Sequence, residues 1–329
     1  MIETPVPDDP LLRHVALPHD VIVPVLGIPV RFRSNSAAAL AAVHESFGRW
    51  VAPAGPGDPP PAPVADVRII LHPGTEARPT GAPVAARMPD AERVLLQTAG
   101  SVALADLHRG DAVIYVTAAL LADVEHFRYS MLEGPTLVLV AARDRLPVHA
   151  AMIARAGRAV VLVGPSGRGK STLAYAAMQD GWRVLADDAV YVQTSPVLRV
   201  WGRPGHLCLP DDAGAWFAEL AGRSPTLLAN GKLKFVMDTS AAEPPVSAAT
   251  ICVLERGPVA GLEPISPAAL TAALLAELAP SHELYGDAPV RVTRLLARDG
   301  GWRLTLAADP AAAVRFLEQL SPGAPMPAG

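Results

Sequence analysis

The chain has 329 residues, enough for about two domains, and half of them are apolar, which suffices for a sizeable core. Its formal net charge of −4, with basic residues scattered along the chain, offers no electrostatic footprint for a nucleic-acid backbone. There is no uncharged apolar run of about 18 residues, and the opening MIETPVPDDP is acidic and proline-rich, so neither a membrane span nor a signal peptide is expected.

In chain order, a short apolar run at 21–30 precedes a helical pattern at 36–50, with Ser34 or Ser36 as N-cap. The Pro/Gly/Ala-rich stretch 52–63 can form neither a helix nor a central strand and reads as a surface loop or linker. Residues 67–71, 93–97 and 112–116 read as strands, with turn residues Ala99-Gly100 and Arg109-Gly110 between them. A helix is expected from 118 to 140, broken at Gly134-Pro135, and a domain boundary near 145.

Beyond the boundary, 152–155 and 159–163 flank the small turn Ala156-Gly157 and predict a hairpin. A helix at 171–179 follows, then strands at 182–186, 189–193, 232–237 and 250–254 and a helix at 267–278. Strands at 290–296 and 302–307, a helix at 311–320 and a disordered tail at 321–329 complete the reading. It yields an N-terminal α+β domain over 1–145 and an α/β nucleotide-binding domain over 146–320. The cysteines, Cys208 and Cys252, lie far apart with no metal-ligand spacing, which suits buried thiols in a reducing, cytosolic compartment.

The hairpin feeds AVVLVGPSGRGKST, an apolar strand that breaks into glycines and ends in Lys-Ser-Thr ahead of a helix. This is the G-x-x-x-x-G-K-[ST] pattern: Gly164, Gly167 and Gly169 let backbone N–H groups turn inward on phosphates. Lys170 reaches the β/γ-phosphates and the Ser171 hydroxyl faces Mg²⁺. The candidate nucleotide contacts are therefore Gly164, Ser166, Gly167, Arg168, Gly169, Lys170, Ser171 and Thr172, with ATP and Mg²⁺ as the implied cofactors.

A phosphate cradle needs carboxylates to hold metal and, in a kinase, to take the acceptor's proton. Asp187-Asp188 closes the strand at 182–186, 17 residues after Lys170, room for one helix and a return strand. Successive strand side chains point to opposite faces, so the pair suggests two roles. Lys232 and Lys234 share one face of a strand candidate. Lys232, after Asn230-Gly231, is either a phosphate contact or part of a solvated face.

The segment VHAAMIARAGRAVVLVGPSGRGKSTLAYAAMQDGWRVLADDAVYV resembles the catalytic domain of HPr kinase/phosphorylase, with His149, the loop and the Asp pair in the family's order. The stretch from Ile251 to Arg256 resembles the strand that follows in related proteins. FRSNSAAALAAVHESFGRW and the two-part plan look like HPr-kinase-related proteins encoded with modified-peptide pathways. The resemblance implies a phosphoenolpyruvate carboxykinase-like P-loop domain and a hydroxyl-bearing acceptor. It further implies Lys170 and Ser171 on phosphates and Mg²⁺, His149 near the phosphates, Asp187 as base and Asp188 as metal ligand, and it admits a homo-oligomer. No counterpart of the family's L-E-I-R-G-x-G segment follows the Asp pair. Trp201-Gly202-Arg203-Pro204-Gly205-His206 stands there instead, so reversal by phosphorolysis is not implied, and since the N-terminal half shows no match to the regulator's own N-terminal domain, an acceptor other than HPr is expected. The rival readings are an ATP-binding sensor without transfer and a carboxykinase; a transport ATPase lacks its LSGGQ-type signature here.

Overall fold

The computed structural model describes residues 9, 12–50, 62–72, 84–98, 100–203, 205–228, 231–239, 245–278 and 284–320. Residues 52–61 of the expected loop and the whole 321–329 tail lie outside the described residues. The chain divides into two compact units, Met1–Arg143 with Ala229–Lys232, and Asp144–Leu228 with Leu233–Gly329.

The first unit holds a seven-stranded sheet. Its strands are β1 (His19–Val25), β2 (Ile28–Ser34), β3 (Ala65–His72), β4 (Ala85–Asp90), β5 (Arg93–Thr98), β6 (Ser101–Asp106) and β7 (Asp111–Thr117), in the order β1-β2-β3-β7-β6-β5-β4. The apolar run at 21–30 is a hairpin and not one element, because Leu26 and Gly27 both adopt positive φ and turn the chain between Val25 and Ile28. Helix α1 (Ala37–Phe47) follows Ser36, whose side chain makes no capping bond; the Ser34 hydroxyl instead accepts from Ser36 N–H and donates to the Ile69 carbonyl.

The helix expected over 118–140 is segmented into α2 (Ala118–Ala122), α3 (Val124–Phe127), a π turn over Arg128–Glu133 and α4 (Gly134–Ala141). The break falls at Asp123, which leaves helical φ/ψ and whose carboxylate accepts from His126 N–H at 3.2 Å to cap α3. Gly134-Pro135 does not break it: Pro135 lies in the first turn of α4, directly after the π turn, a position where proline is tolerated.

In the second unit, β8 (Leu146–Val148), β9 (Ala150–Arg155) and β10 (Arg158–Val163) lead to α5 (Lys170–Gln179). Next come β11 (Arg183–Ala186), β12 (Val190–Gln193), β13 (Arg199–Gly202), β14 (His206–Pro210), β15 (Thr226–Leu227), β16 (Leu233–Asp238), β17 (Thr250–Arg256) and β18 (Gly261–Ile265). Helices α6 (Pro267–Ala276) and α7 (Ala288–Ala297), then β19 (Gly301–Leu306) and α8 (Ala311–Leu317), complete it. The main sheet runs β11-β9-β10-β17-β19-β18, and two three-stranded sheets, β13-β12-β8 and β14-β16-β15, flank it. Strand β10 pairs antiparallel with β9 through the Ala156-Gly157 turn and parallel with β17.

Alternation along β10 explains why it reads as continuously apolar. Val160 and Leu162 pack in one core with Leu173 of α5 and Leu317 of α8. Ala159, Val161 and Val163 pack in another with Leu270 and Leu274 of α6. The strand expected at 290–296 is helix α7, whose buried Pro289, Val292, Thr293 and Ala297 recur at helical spacing. Cys252 is a buried free thiol whose pKa burial pushes up to about 12.

Candidate functional site

Where β10 ends, the backbone turns through glycines that other residues would strain: φ is +148° at Gly164, +82° at Gly167 and +102° at Gly169. A Cβ on Gly169 would lie 3.0 Å from both Arg256 Nη2 and Leu306 Cδ1, the ends of two flexible side chains that border the loop, so it is the backbone conformation that calls for glycine there. Gly169 is the N-cap of α5, whose first-turn N–H groups have no helical partner and face the loop. Ser166, Gly167 and Arg168 are exposed on the loop, whereas the Thr172 side chain is buried beneath the first turn.

Lys170, 7% exposed, folds back into this cradle. Its Nζ donates to the Gly164 carbonyl at 2.5 Å and lies 2.9 Å from His149 Nε2. Burial lowers its pKa below the usual lysine value, and the Glu277, Asp188 and Asp187 carboxylates oppose that. His149 stands between β8 and β9; its Nδ1 lies 2.9 Å from the Asp188 carbonyl and 3.2 Å from Asp188 Oδ1. With Lys170 donating to Nε2, the ring proton sits on Nδ1, the nitrogen facing Asp188.

The two aspartates differ. Asp187 Oδ1 accepts from Ser171 Oγ at 2.7 Å and Oδ2 from Cys208 N–H at 2.9 Å, so both oxygens are engaged by donors from α5 and β14. Burial raises its pKa, against those two bonds. The Asp188 side chain is 84% exposed, its backbone has φ +73°, and its bond to His149 lowers its pKa. The left-handed Asp188 turns the chain so that consecutive carboxylates face different surroundings.

The structure thus brings Lys170, Ser171, His149, Asp187 and Asp188 together at one loop. Lys232 falls in Ala229–Lys232, the stretch that groups with the first unit, and β16 begins after it. Sequence reasoning missed the Cys208 N–H, a backbone donor that no side chain announces, and Glu277, which closes α6 as its C-cap.

Among the described residues no cluster of three or more His, Cys, Asp or Glu could hold a metal by itself. Magnesium typically takes one or two carboxylates plus substrate phosphates. A serine hydroxyl bonded to a carboxylate at the mouth of an anion cradle matches that donor set.

The class defined by these elements is a mixed α/β protein with a glycine-rich loop and helix cradle beside a carboxylate pair. A family model described as SynChlorMet cassette protein ScmC matches residues 122–197, the stretch that contains His149, the loop and both aspartates. Among solved structures, the chain is similar to the Hpr(Ser) kinase/phosphatase from Coxiella burnetii. That match has 11% sequence identity and a TM-score of 0.28 over 53% of this chain and 95% of that one. No curated protein matches. No helix among the described residues is long and apolar enough to cross a membrane.

Proposed function

We propose that the chain is an ATP-dependent kinase that transfers the γ-phosphoryl group to a hydroxyl of a peptide, protein or small molecule. One observation carries the reading: a buried lysine, a serine hydroxyl and two differently held aspartates meet at the N-terminus of α5. Lys170, now satisfied by the Gly164 carbonyl and His149, would turn its ammonium to the β/γ-phosphate oxygens, while loop and first-turn N–H groups cradle them. Ser171 and Asp187 would hold magnesium, which when bound offsets the charge on the transferring phosphoryl group.

Asp188 is the better placed proton acceptor. Its carboxylate is exposed and ionised, whereas both oxygens of Asp187 are engaged by donors. This reverses the split that the resemblance implies. The acceptor hydroxyl passes its proton to Asp188 as its oxygen bonds to the γ-phosphorus, and the bond from γ-phosphorus to the bridging oxygen breaks to release ADP. His149 orients Asp188 through Nδ1 and Lys170 through Nε2.

Mass spectrometry of candidate hydroxyl acceptors after incubation with ATP and Mg²⁺ tests the reading. A gain of one phosphoryl group, with ADP production that rises with acceptor, is expected. ATP binding whose ADP production never responds to any acceptor would support the sensor instead.

A further inference from the structure

The loop has two sides in the sheet. His149 and the Asp pair belong to the β9 and β11 side of β10. On the β17 side a cavity of about 320 Å³ opens between the loop, the carboxyl end of β17 and the last turn of α6. Pro165, Val253 and Ala276 give it apolar wall, and Arg168, Arg256 and Glu277 place charge in its lining.

Open α/β sheets take ligands at the carboxyl ends of their parallel strands, and β10 and β17 are such a pair. In-line phosphoryl transfer sets the entering and leaving oxygens on opposite sides of the phosphorus. With the proton acceptor on the β11 side, the leaving diphosphate and its nucleoside extend toward β17. Resting on the kinase reading above, we propose that this cavity seats the nucleoside of an amino-bearing purine nucleotide, its base against the apolar wall and its amino group donating to the Glu277 carboxylate. Arg256, whose Nη2 would lie 3.0 Å from a Cβ on Gly169, flanks the phosphates at the loop. The Glu277 charge also opposes the lowering of the Lys170 pKa, consistent with a carboxylate within electrostatic reach of the cradle. The cavity volume falls within the roughly 300–1,000 Å³ of small-molecule sites.

Calorimetric titration of the full chain with Mg²⁺ and three probes, ATP, inosine triphosphate and inorganic tripolyphosphate, tests this. Wild type should bind ATP at least about 10-fold tighter than tripolyphosphate, and Ala276→Phe, at an exposed helix position, should lose about 10-fold on ATP while holding tripolyphosphate unchanged. Glu277→Gln should shrink the preference for ATP over inosine triphosphate by about 10-fold, since inosine carries no amino group. ATP binding no tighter than tripolyphosphate, or Ala276→Phe binding ATP like wild type, overturns the cavity assignment and leaves the cradle standing. Wild-type chain that binds neither ATP nor tripolyphosphate overturns the kinase reading and this inference with it.

Discussion

Asp187 and Asp188 are adjacent in sequence yet held by different partners, Ser171 and Cys208 N–H for one and His149 for the other. Asp188→Asn should slow phosphoryl transfer by about 10²–10⁴-fold with ATP binding retained, the usual worth of general-base help. Asp187→Asn should chiefly raise the Mg²⁺ concentration needed for half-maximal rate. Steady-state kinetics across a magnesium series separates the two, and the reverse pattern would restore Asp187 as base.

His149 supplies a second residue-scale test. Its bond to Asp188 raises its pKa above 6.5, with burial and Lys170 opposing. The stability that comes from this shift is fully present below 6.5 and lost as pH rises through the folded value. The share from Asp188, lowered from 3.8, is present above that value and lost as pH falls through the folded one. Solvent screening keeps either share within about 1 kcal/mol. Imidazole NMR should find His149 titrating above 6.5, and lower in Asp188→Asn; an unchanged titration contradicts the pairing.

At the scale of elements, β13 supports the turn that carries the aspartates. A Cβ on Gly202 would lie 2.3 Å from the Leu185 carbonyl oxygen, a backbone atom just upstream of Asp187. Gly202→Ala should therefore push β11 aside, costing roughly 1–3 kcal/mol as overpacking does. It should also lower transfer by displacing Asp187 and Asp188. Denaturant melts and initial rates check both effects; wild-type stability would mean that the contact relaxes freely.

The elements that place the site were legible because local chemistry and tertiary demand agree there. The strand at 159–163, the glycine turn and the Asp pair at a strand end stand as read, and α5 begins one residue earlier than expected. Misreadings arose where the two diverge. The segment Val290-Arg291-Val292-Thr293 alternates like a strand, yet Pro289 starts a helix there and the buried set follows helical spacing. Strand β4 was invisible because all its side chains are exposed and carry no apolar period. Which aspartate bonds Ser171 depended on the left-handed Asp188 backbone, which strand alternation does not encode.

At the scale of the molecule, every residue assigned to phosphate chemistry except Lys232 lies in the second unit. We propose that the first unit, which carries no other assigned phosphate-handling residue, recognises the acceptor. A shortened chain beginning at Asp144, checked for folding by circular dichroism and size exclusion, should bind ATP and hydrolyse it slowly. Its transfer to the acceptor should fall through KM if the first unit only binds, or through kcat if it also orients the hydroxyl. Full transfer by a folded, soluble shortened chain would refute that assignment.

The central claim is that the glycine loop holds Mg·ATP through Lys170, and calorimetric titration of Mg·ATP into wild type and Lys170→Ala tests it most directly. Wild type should bind with 1:1 stoichiometry, and the variant, with its melting transition retained, should lose most of that affinity along with all turnover. Equal affinity in the two proteins would contradict the account.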